Sequence, residues 1–282
     1  EAMSSAAAAI SGDDLSARID SRGIDTELAG LANVLNEMFV RLEGSFERQQ
    51  QFTADASHEL RTPLSIIRSQ AELALSKPRS PEEYRTTLQT CLRAAQRMSN
   101  LAQGLLSLAR VDAGKAFSFT NVRLHEIVSD SVAQMQAIAD AKRVTLATDL
   151  EPIQISGNGQ RLGQVVVNLV SNAIAFNSAG GRVEVRLFSD EEDAVLTVRD
   201  NGIGIPARDC PKIFQRFFRV DKSRTRAVGG TGLGLAICKT FVEAHRGTID
   251  FESTEGAGTT FRVRLPRANL DIKRMSPAEI RS

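Results

Sequence analysis

A strict apolar repeat beginning just after Glu27 constrains this chain more than any other feature. Leu28, Leu31, Leu35, Met38, Leu42, Ser45, Gln49 and Phe52 alternate steps of three and four, the spacing of a heptad seam along one helix. The seam weakens at Ser45 and Gln49 but meets no helix breaker before Pro63, and Leu60, Leu64 and Ile67 carry the apolar stripe onward. Such a helix either lies on a core as a surface element or pairs along its seam. Its length favours pairing with a second copy, as in a dimeric coiled coil.

The seam runs directly into FTADASHELRTP, residues 52–63. His58 lies two positions before Leu60, roughly 200° round the helix, so it points away from the stripe. A presented histidine with Glu59 beside it is a candidate nucleophile; taken alone, the stretch is also compatible with a solvated helix residue. Past Pro63 the pattern continues through Leu73 and Leu75 to Lys77-Pro78-Arg79-Ser80-Pro81. Two prolines in that turn, with Glu82 and Glu83 after Ser80, mark the start of a second helix. Its face carries Leu88, Leu92, Ala95, Met98, Leu101, Leu105 and Leu108, and it ends near Asp112-Ala113-Gly114. One hairpin leaves apolar stripes open, and dimerisation into a four-helix bundle covers them.

After Gly114 the period changes. Phe117, Phe119 and Val122 alternate as in a strand, and 124–141 reads as a helix. Short strands are expected over 144–150 and 153–156, a helix over 160–176, and a hairpin over 183–188 and 194–198. A further helix over 233–244 and strands over 248–252 and 260–265 complete an α/β sandwich, with helices on one face of a mixed sheet. Residues 1–10 read as a weak helical stub, 10–25 as a polar connector and 268–282 as a frayed tail.

Composition narrows the function classes. A formal charge of +1, from 35 basic and 34 acidic residues, argues against a nucleic-acid binder. Cys91, Cys210 and Cys238 are far apart and form no metal-ligand pattern, and only three histidines are present. No run approaches the roughly 18 apolar residues of a membrane span. The chain opens in what reads as the middle of a helix, so it is expected to be part of a longer protein.

Four patches in the second half carry chemistry. NLVSNAIAF sets Asn168 and Asn172 four apart, hence on one helix face; they are surface asparagines or amide-oxygen ligands for Mg2+ held jointly with phosphates. In DNGIGIP, Asp200 ends a strand, and Gly202 and Gly204 permit a sharp turn and close approach. In GGTGLGLAI, glycines 229, 230, 232 and 234 lead into an apolar helix whose first N–H groups can cradle phosphate. Between them, IFQRFFRVDKSRTRAVGG follows three phenylalanines with Arg219, Lys222, Arg224 and Arg226 on an expected loop. Each is a weak signal alone; their order together is specific.

These motifs, with SHELRTPL and the closing GTTFRVRLP, resemble the cytoplasmic part of bacterial two-component sensor histidine kinases over about residues 46–267. DDLSARI with TELAGLANVLNEM is similar to the connector and second helix of a HAMP domain. The resemblance implies a partial HAMP and signalling helix over 1–45, a dimerisation and histidine-phosphotransfer hairpin over 46–114, a catalytic ATP-binding domain over 115–267, and a tail. It implies ATP and Mg2+ as cofactors. It also implies a homodimer, a response-regulator receiver domain as partner, and a membrane contact only through a missing N-terminal segment.

It further implies His58 as phosphoacceptor, Glu59 as the group that accepts or orients its proton, and Thr62 as a water-positioning residue in dephosphorylation. Asn172, helped by Asn168, would hold Mg2+, and Asp200 would accept the adenine amino hydrogen. Gly202 and Gly204, the backbone at Gly230, Gly232, Leu233 and Gly234, and Thr260 of the closing strand would complete the nucleotide site, with Arg219 and Lys222 neutralising the triphosphate. The chain departs from the pattern at Ala175, where a basic residue is frequent, at Asn158 in place of Asp, and at Arg246 in place of Gly.

Overall fold

A computed structural model of the chain describes residues 18–19, 26–112, 118–220 and 230–267. The expected stub at 1–10 and tail at 268–282 lie outside the described residues, as does nearly all of the connector. The chain divides into two compact units, Glu1–Thr62 and Pro63–Ser282.

One helix, α1, runs from Thr26 to Leu75. Within the first unit its partner is the pair Arg18–Ile19. The Ile19 N–H donates to Asn36 Oδ1 at 2.9 Å, and Asn36 Nδ2 donates back to the Ile19 carbonyl at 3.0 Å. Arg18 pairs with Glu43 further along the same helix. This clasp buries Ile19, and Ala32 is also buried, while Leu31, Met38 and Leu42 of the seam stay about half exposed.

The second unit holds the remainder of α1, a second helix α2 (Pro81–Asp112), and an α/β layer structure. Leu75 ends α1 because Arg79 turns back and its Nε donates to the Leu73 carbonyl at 3.0 Å. Ser80 and Glu83 then form a reciprocal cap on α2. The Ser80 N–H donates to Glu83 Oε2 at 2.8 Å, and the Glu83 N–H donates to Ser80 Oγ at 3.3 Å. Ser80→Ala deletes the hydroxyl acceptor, so urea unfolding followed by circular dichroism should show a loss of about 1 kcal/mol. The two ends of α2 differ. Leu88 and Leu92 are exposed, whereas Leu101 and Leu108 are buried.

The α/β part follows the expected order with small boundary shifts: α3 (Leu124–Lys142), α4 (Gly159–Ala175) and α5 (Gly234–Ala244), with strands β1 (Thr120–Arg123), β2 (Thr145–Leu150), β3 (Gln154–Gly157), β4 (Arg182–Asp190), β5 (Asp193–Asp200), β6 (Thr248–Thr254) and β7 (Gly258–Pro266). A five-stranded sheet has the order β2-β4-β5-β7-β6. β2 and β4 run parallel and the other neighbours antiparallel. β1 and β3 form a separate antiparallel pair. Phe119 lies just outside β1, against His245, and Phe117 is not among the described residues.

Period-2 alternation decides the layers. Val183, Val185 and Leu187 of β4, Leu196 and Val198 of β5, and Val263 and Leu265 of β7 are buried. The residues between them, such as Glu184, Arg186 and Arg262, form ion pairs on the open face. α4 has the broadest apolar face, burying Leu162, Val165, Val166, Leu169, Val170, Ala173 and Ile174. Asn158 caps it by accepting from the Arg161 N–H at 3.1 Å. An asparagine oxygen serves this cap as an aspartate would, which accounts for that departure. Arg246 has φ 58, in the region glycine prefers.

α2 lies on α5 at Gly104. A Cβ there would come within 3.1 Å of Leu233 and 3.3 Å of Ile237. Among the described residues no helix is long and apolar enough to cross a membrane.

Candidate functional site

Three stations lie along α4. At its middle, Asn168 is half-buried and its Nδ2 donates to the Gly234 carbonyl at 3.3 Å. One turn on, Asn172 is also half-buried on the same helix face. At the helix end, the Phe176 carbonyl accepts from the Ile203 N–H at 3.1 Å, in the turn that follows Asp200. Residues 168 and 176 are about 12 Å apart at 1.5 Å per residue.

The Phe176 station is built around a buried acid. Asp200 ends β5 and is 9% exposed. Its Oδ1 accepts from the Gly202 N–H at 2.8 Å and the Thr259 N–H at 3.3 Å. Burial pushes the carboxyl above the usual carboxylate range, and the two N–H groups oppose this. Both bonds fall on Oδ1, which leaves Oδ2 for a donor brought by a ligand. Gly202 is required here, because a Cβ would lie 2.5 Å from the Phe176 carbonyl oxygen. Phe176 and Ile203 remain exposed beside the acid, 37% and 45%.

The Asn168 station is the start of α5. Leu233 is fully buried and anchors the turn, and the first N–H groups of the helix follow it. Gly232 has φ 72, its carbonyl accepts from the Phe217 N–H at 2.9 Å, and a Cβ would sit 2.8 Å from the Phe217 carbonyl carbon. Phe217 itself has φ 62. The phenylalanine motif and the glycine motif, remote in sequence, thus clasp each other by backbone. Gly204 lies in the turn after Asp200, and Gly230 precedes the clasp. Arg219 is half-buried at the end of a described segment, and Lys222 lies outside the described residues.

Thr260 does not belong to this constellation. β7 pairs Asp200 with Thr259, whose side chain shares the inward face with Phe261 and Val263. Thr260 points to the opposite face, among Arg199, Glu252 and Arg262. Counting back by twos from Phe261 identifies Thr259 as the inward residue. No sequence pattern marks Lys142. Its Nζ donates to the Ile174 carbonyl at 2.8 Å and to the Ala175 carbonyl, which brings a cation from α3 to the helix end that lacks a basic side chain at 175.

In the first unit His58 and Thr62 are exposed and Glu59 half-buried, and Thr62 Oγ1 donates to the His58 carbonyl at 3.3 Å. Cys238 is buried, its Sγ 3.8 Å from the Val165 carbonyl and its thiol pushed up to about 12 by burial. A thiolate at neutral pH is excluded there. Among the described residues no group of three His, Cys, Asp or Glu could hold a metal. The paired amides of Asn168 and Asn172 fit a hard cation only if a ligand supplies the remaining oxygens.

Residues 48–114 match the His Kinase A (phospho-acceptor) domain, and residues 157–269 match the histidine kinase-, DNA gyrase B- and HSP90-like ATPase family. The sensor protein CutS of Streptomyces coelicolor is 40% identical over 261 residues, covering 92% of this chain and 63% of its own length. The sensor histidine kinase RppB of Synechocystis is 40% identical over 233 residues, 81% of this chain and 51% of its own. The chain thus spans between half and two thirds of the length of these relatives. Two solved structures share the fold. The Acinetobacter baumannii histidine kinase AdeS has TM-score 0.61 and 21% identity, covering 75% of this chain and 98% of its own. Histidine kinase ThkA in complex with the response regulator TrrA has TM-score 0.62 and 22% identity, covering 80% and 66%. With a phospho-acceptor hairpin followed by an ATPase domain, the chain belongs to the bacterial two-component sensor histidine kinases.

Proposed function

We propose that this chain is the catalytic part of an ATP-dependent protein-histidine kinase that phosphorylates its own His58 and passes the phosphoryl group to an aspartate of a response-regulator receiver domain. The observation that carries the reading is the three-station line along α4: a buried acid beside exposed Phe176 and Ile203 at one end, Asn172 in the middle, and Asn168 bonded to the glycine-led start of α5 at the other. That line suits a molecule with a planar amino-bearing base and a polyphosphate. Asp200 Oδ2 accepts from the adenine amino group, which guanine lacks at that position. The first N–H groups of α5 bind phosphate oxygens. Asn172 and Asn168 would hold Mg2+ with the phosphates; bound there, the ion neutralises developing charge on the phosphoryl oxygens. Arg219 and Lys222 are assigned to the same anionic end.

At His58 one ring nitrogen attacks the γ-phosphorus, the bond to the β–γ bridging oxygen breaks, and ADP leaves. Glu59 accepts or orients the proton on the other nitrogen. Thr62 is assigned to water positioning in the reverse duty, dephosphorylation of the regulator. The half-exposed Leu31, Met38 and Leu42, with Leu64, Leu88 and Leu92, support a homodimer that covers them. The domain division at 45, 114 and 267 is part of the same proposal. So is placement of the full-length protein in the bacterial inner membrane. Incubation with γ-labelled ATP and Mg2+ should label the chain through an acid-labile, base-stable bond. A label that survives acid would refute the assignment.

Pro63 adds a control point. α1 continues through it, and proline offers no N–H to the carbonyl four residues back, so the helix is weakened beside His58. Pro63→Ala should change the ratio of kinase to phosphatase activity by at least about threefold (under 1 kcal/mol) while thermal stability stays level or rises. If both activities track stability, Pro63 is not a hinge.

A further inference from the structure

His245 is buried, 5% exposed, and its ring makes two defined bonds. Nδ1 lies 2.6 Å from the Phe241 carbonyl, one turn back in α5, and can only donate to it. Nε2 is therefore the unprotonated nitrogen, and it accepts the Asn158 N–H at 3.0 Å. Burial holds the imidazole below its ordinary pKa, consistent with a neutral ring. The ring stacks on Phe119 at 4.7 Å between centroids, and a Cβ on Gly157 would come within 3.0 Å of it. Any side chain at 157 would push the imidazole away from the Asn158 N–H.

This bond is the last rung of a series. α4 and α5 run antiparallel, tied in order by Asn168 Nδ2 to the Gly234 carbonyl, Cys238 Sγ near the Val165 carbonyl at 3.8 Å, the Arg161 guanidinium 5.0 Å over the Phe241 ring, and Asn158 N–H to His245 Nε2. The first rung is long and partly open, the second is a weak sulfur contact, and the third is a ring contact. Only the last is a hydrogen bond of 3.0 Å between fixed groups, a backbone N–H at the cap of α4 and a ring at the cap of α5. A slide of one residue moves a helix by about 1.5 Å. That would break the His245 bond and carry Asn168 away from Gly234 together.

We propose that His245 is a positioning residue for nucleotide binding: its Nε2 fixes the register of α4 on α5 and so holds Asn168 and Asn172 opposite the glycine-led start of α5. The inference rests on the proposed nucleotide site. The substitutions His245→Gln and His245→Asn separate it from a plain packing role. In His245→Gln the new amide oxygen can reach the Nε2 position and accept from Asn158, while the shorter side chain of His245→Asn reaches only the Nδ1 position. The Phe241 carbonyl keeps the backbone N–H of residue 245 at 3.2 Å in both variants.

The test is direct titration of the whole chain with a fluorescent ADP derivative and Mg2+, at a temperature where circular dichroism shows each protein folded. His245→Asn should weaken binding about tenfold or more, and His245→Gln should lie within about threefold of wild type. Equal affinities of folded His245→Asn and wild-type protein, or His245→Gln as weak as His245→Asn, would overturn the proposal. If His245→Asn does not fold, the comparison is read between His245→Gln and wild type, where a tenfold loss overturns it. Wild-type protein that does not bind the probe at all contradicts the nucleotide site itself, a different result from either.

Discussion

His58→Gln is expected to reduce labelling from γ-labelled ATP at least about 1,000-fold, to background, without measurable loss of stability. The two halves of that expectation have separate causes. His58 is an exposed helix residue, and glutamine is a good helix former, so the substitution should stay within about 0.5 kcal/mol. An amide has no nitrogen lone pair available for attack on phosphorus, so the covalent step is removed rather than slowed. Glu59→Gln should behave differently. It leaves the nucleophile and withdraws only its proton acceptor, so labelling should fall by about 100- to 10,000-fold, the range of a general base. Nucleotide affinity should hold in both variants, because the proposed binding stations belong to α4, β5 and α5. Labelling of His58→Gln at the wild-type rate would move the phosphoacceptor elsewhere. Labelling of Glu59→Gln at that rate would leave His58 in place and remove Glu59 from the mechanism.

How far the fold was legible follows from the kind of signal each element carries. α1, α2 and α4 are long and strongly periodic, and the sequence locates them to within a residue or two. The strands of the sandwich show period 2 because one face is buried and the other wet, so Val183, Val185 and Leu187 declare their side. The site was legible where side chains of unusual type stand at fixed spacing, as at Asn168 and Asn172, or where a glycine precedes a helix. It was illegible where partners meet through the tertiary fold. Lys142 reaches the carbonyls of Ile174 and Ala175 from another helix, and no local pattern announces that. Thr259 and Thr260 are the same residue type, so only strand register separates the one beside Asp200 from the one on the open face. The Phe217–Gly232 clasp joins two motifs that read separately as three phenylalanines ahead of a basic loop and a glycine-led helix start.

Asp200→Asn is expected to separate folding from ligand binding, in opposite directions. The folded state holds a proton on Asp200 more tightly than the unfolded chain does, because burial disfavours the charge. Stability from this group is therefore greatest in acid and is lost as pH rises above the ordinary carboxylate range, so at neutral pH the ionised carboxylate is a cost. Asparagine carries no charge to desolvate, and its Oδ1 can still accept from the Gly202 and Thr259 N–H groups. The melting temperature at pH 7 should stay level or rise, and the fall in stability just above the ordinary carboxylate range should flatten. Asp200→Ala provides the contrast, since it leaves two buried N–H groups without an acceptor and should lose about 1–3 kcal/mol. Binding should move the other way. With Oδ1 held by the backbone, the asparagine presents its NH2 where Oδ2 stood, and a donor would then face the adenine amino group. Loss of a hydrogen bond to a charged acceptor, with both donors left unpaired, should weaken a nonhydrolysable ATP analogue by at least about 100-fold, roughly 2.7 kcal/mol. Calorimetry and thermal melts on the Asn and Ala variants test both halves. Wild-type affinity in Asp200→Asn would exclude the carboxylate as the base-reading group. A melting temperature as low as that of Asp200→Ala would mean the charge is itself needed for folding. If the carboxylate serves a ligand that needs its charge, the asparagine variant loses that ligand while leaving the fold its hydrogen bonds.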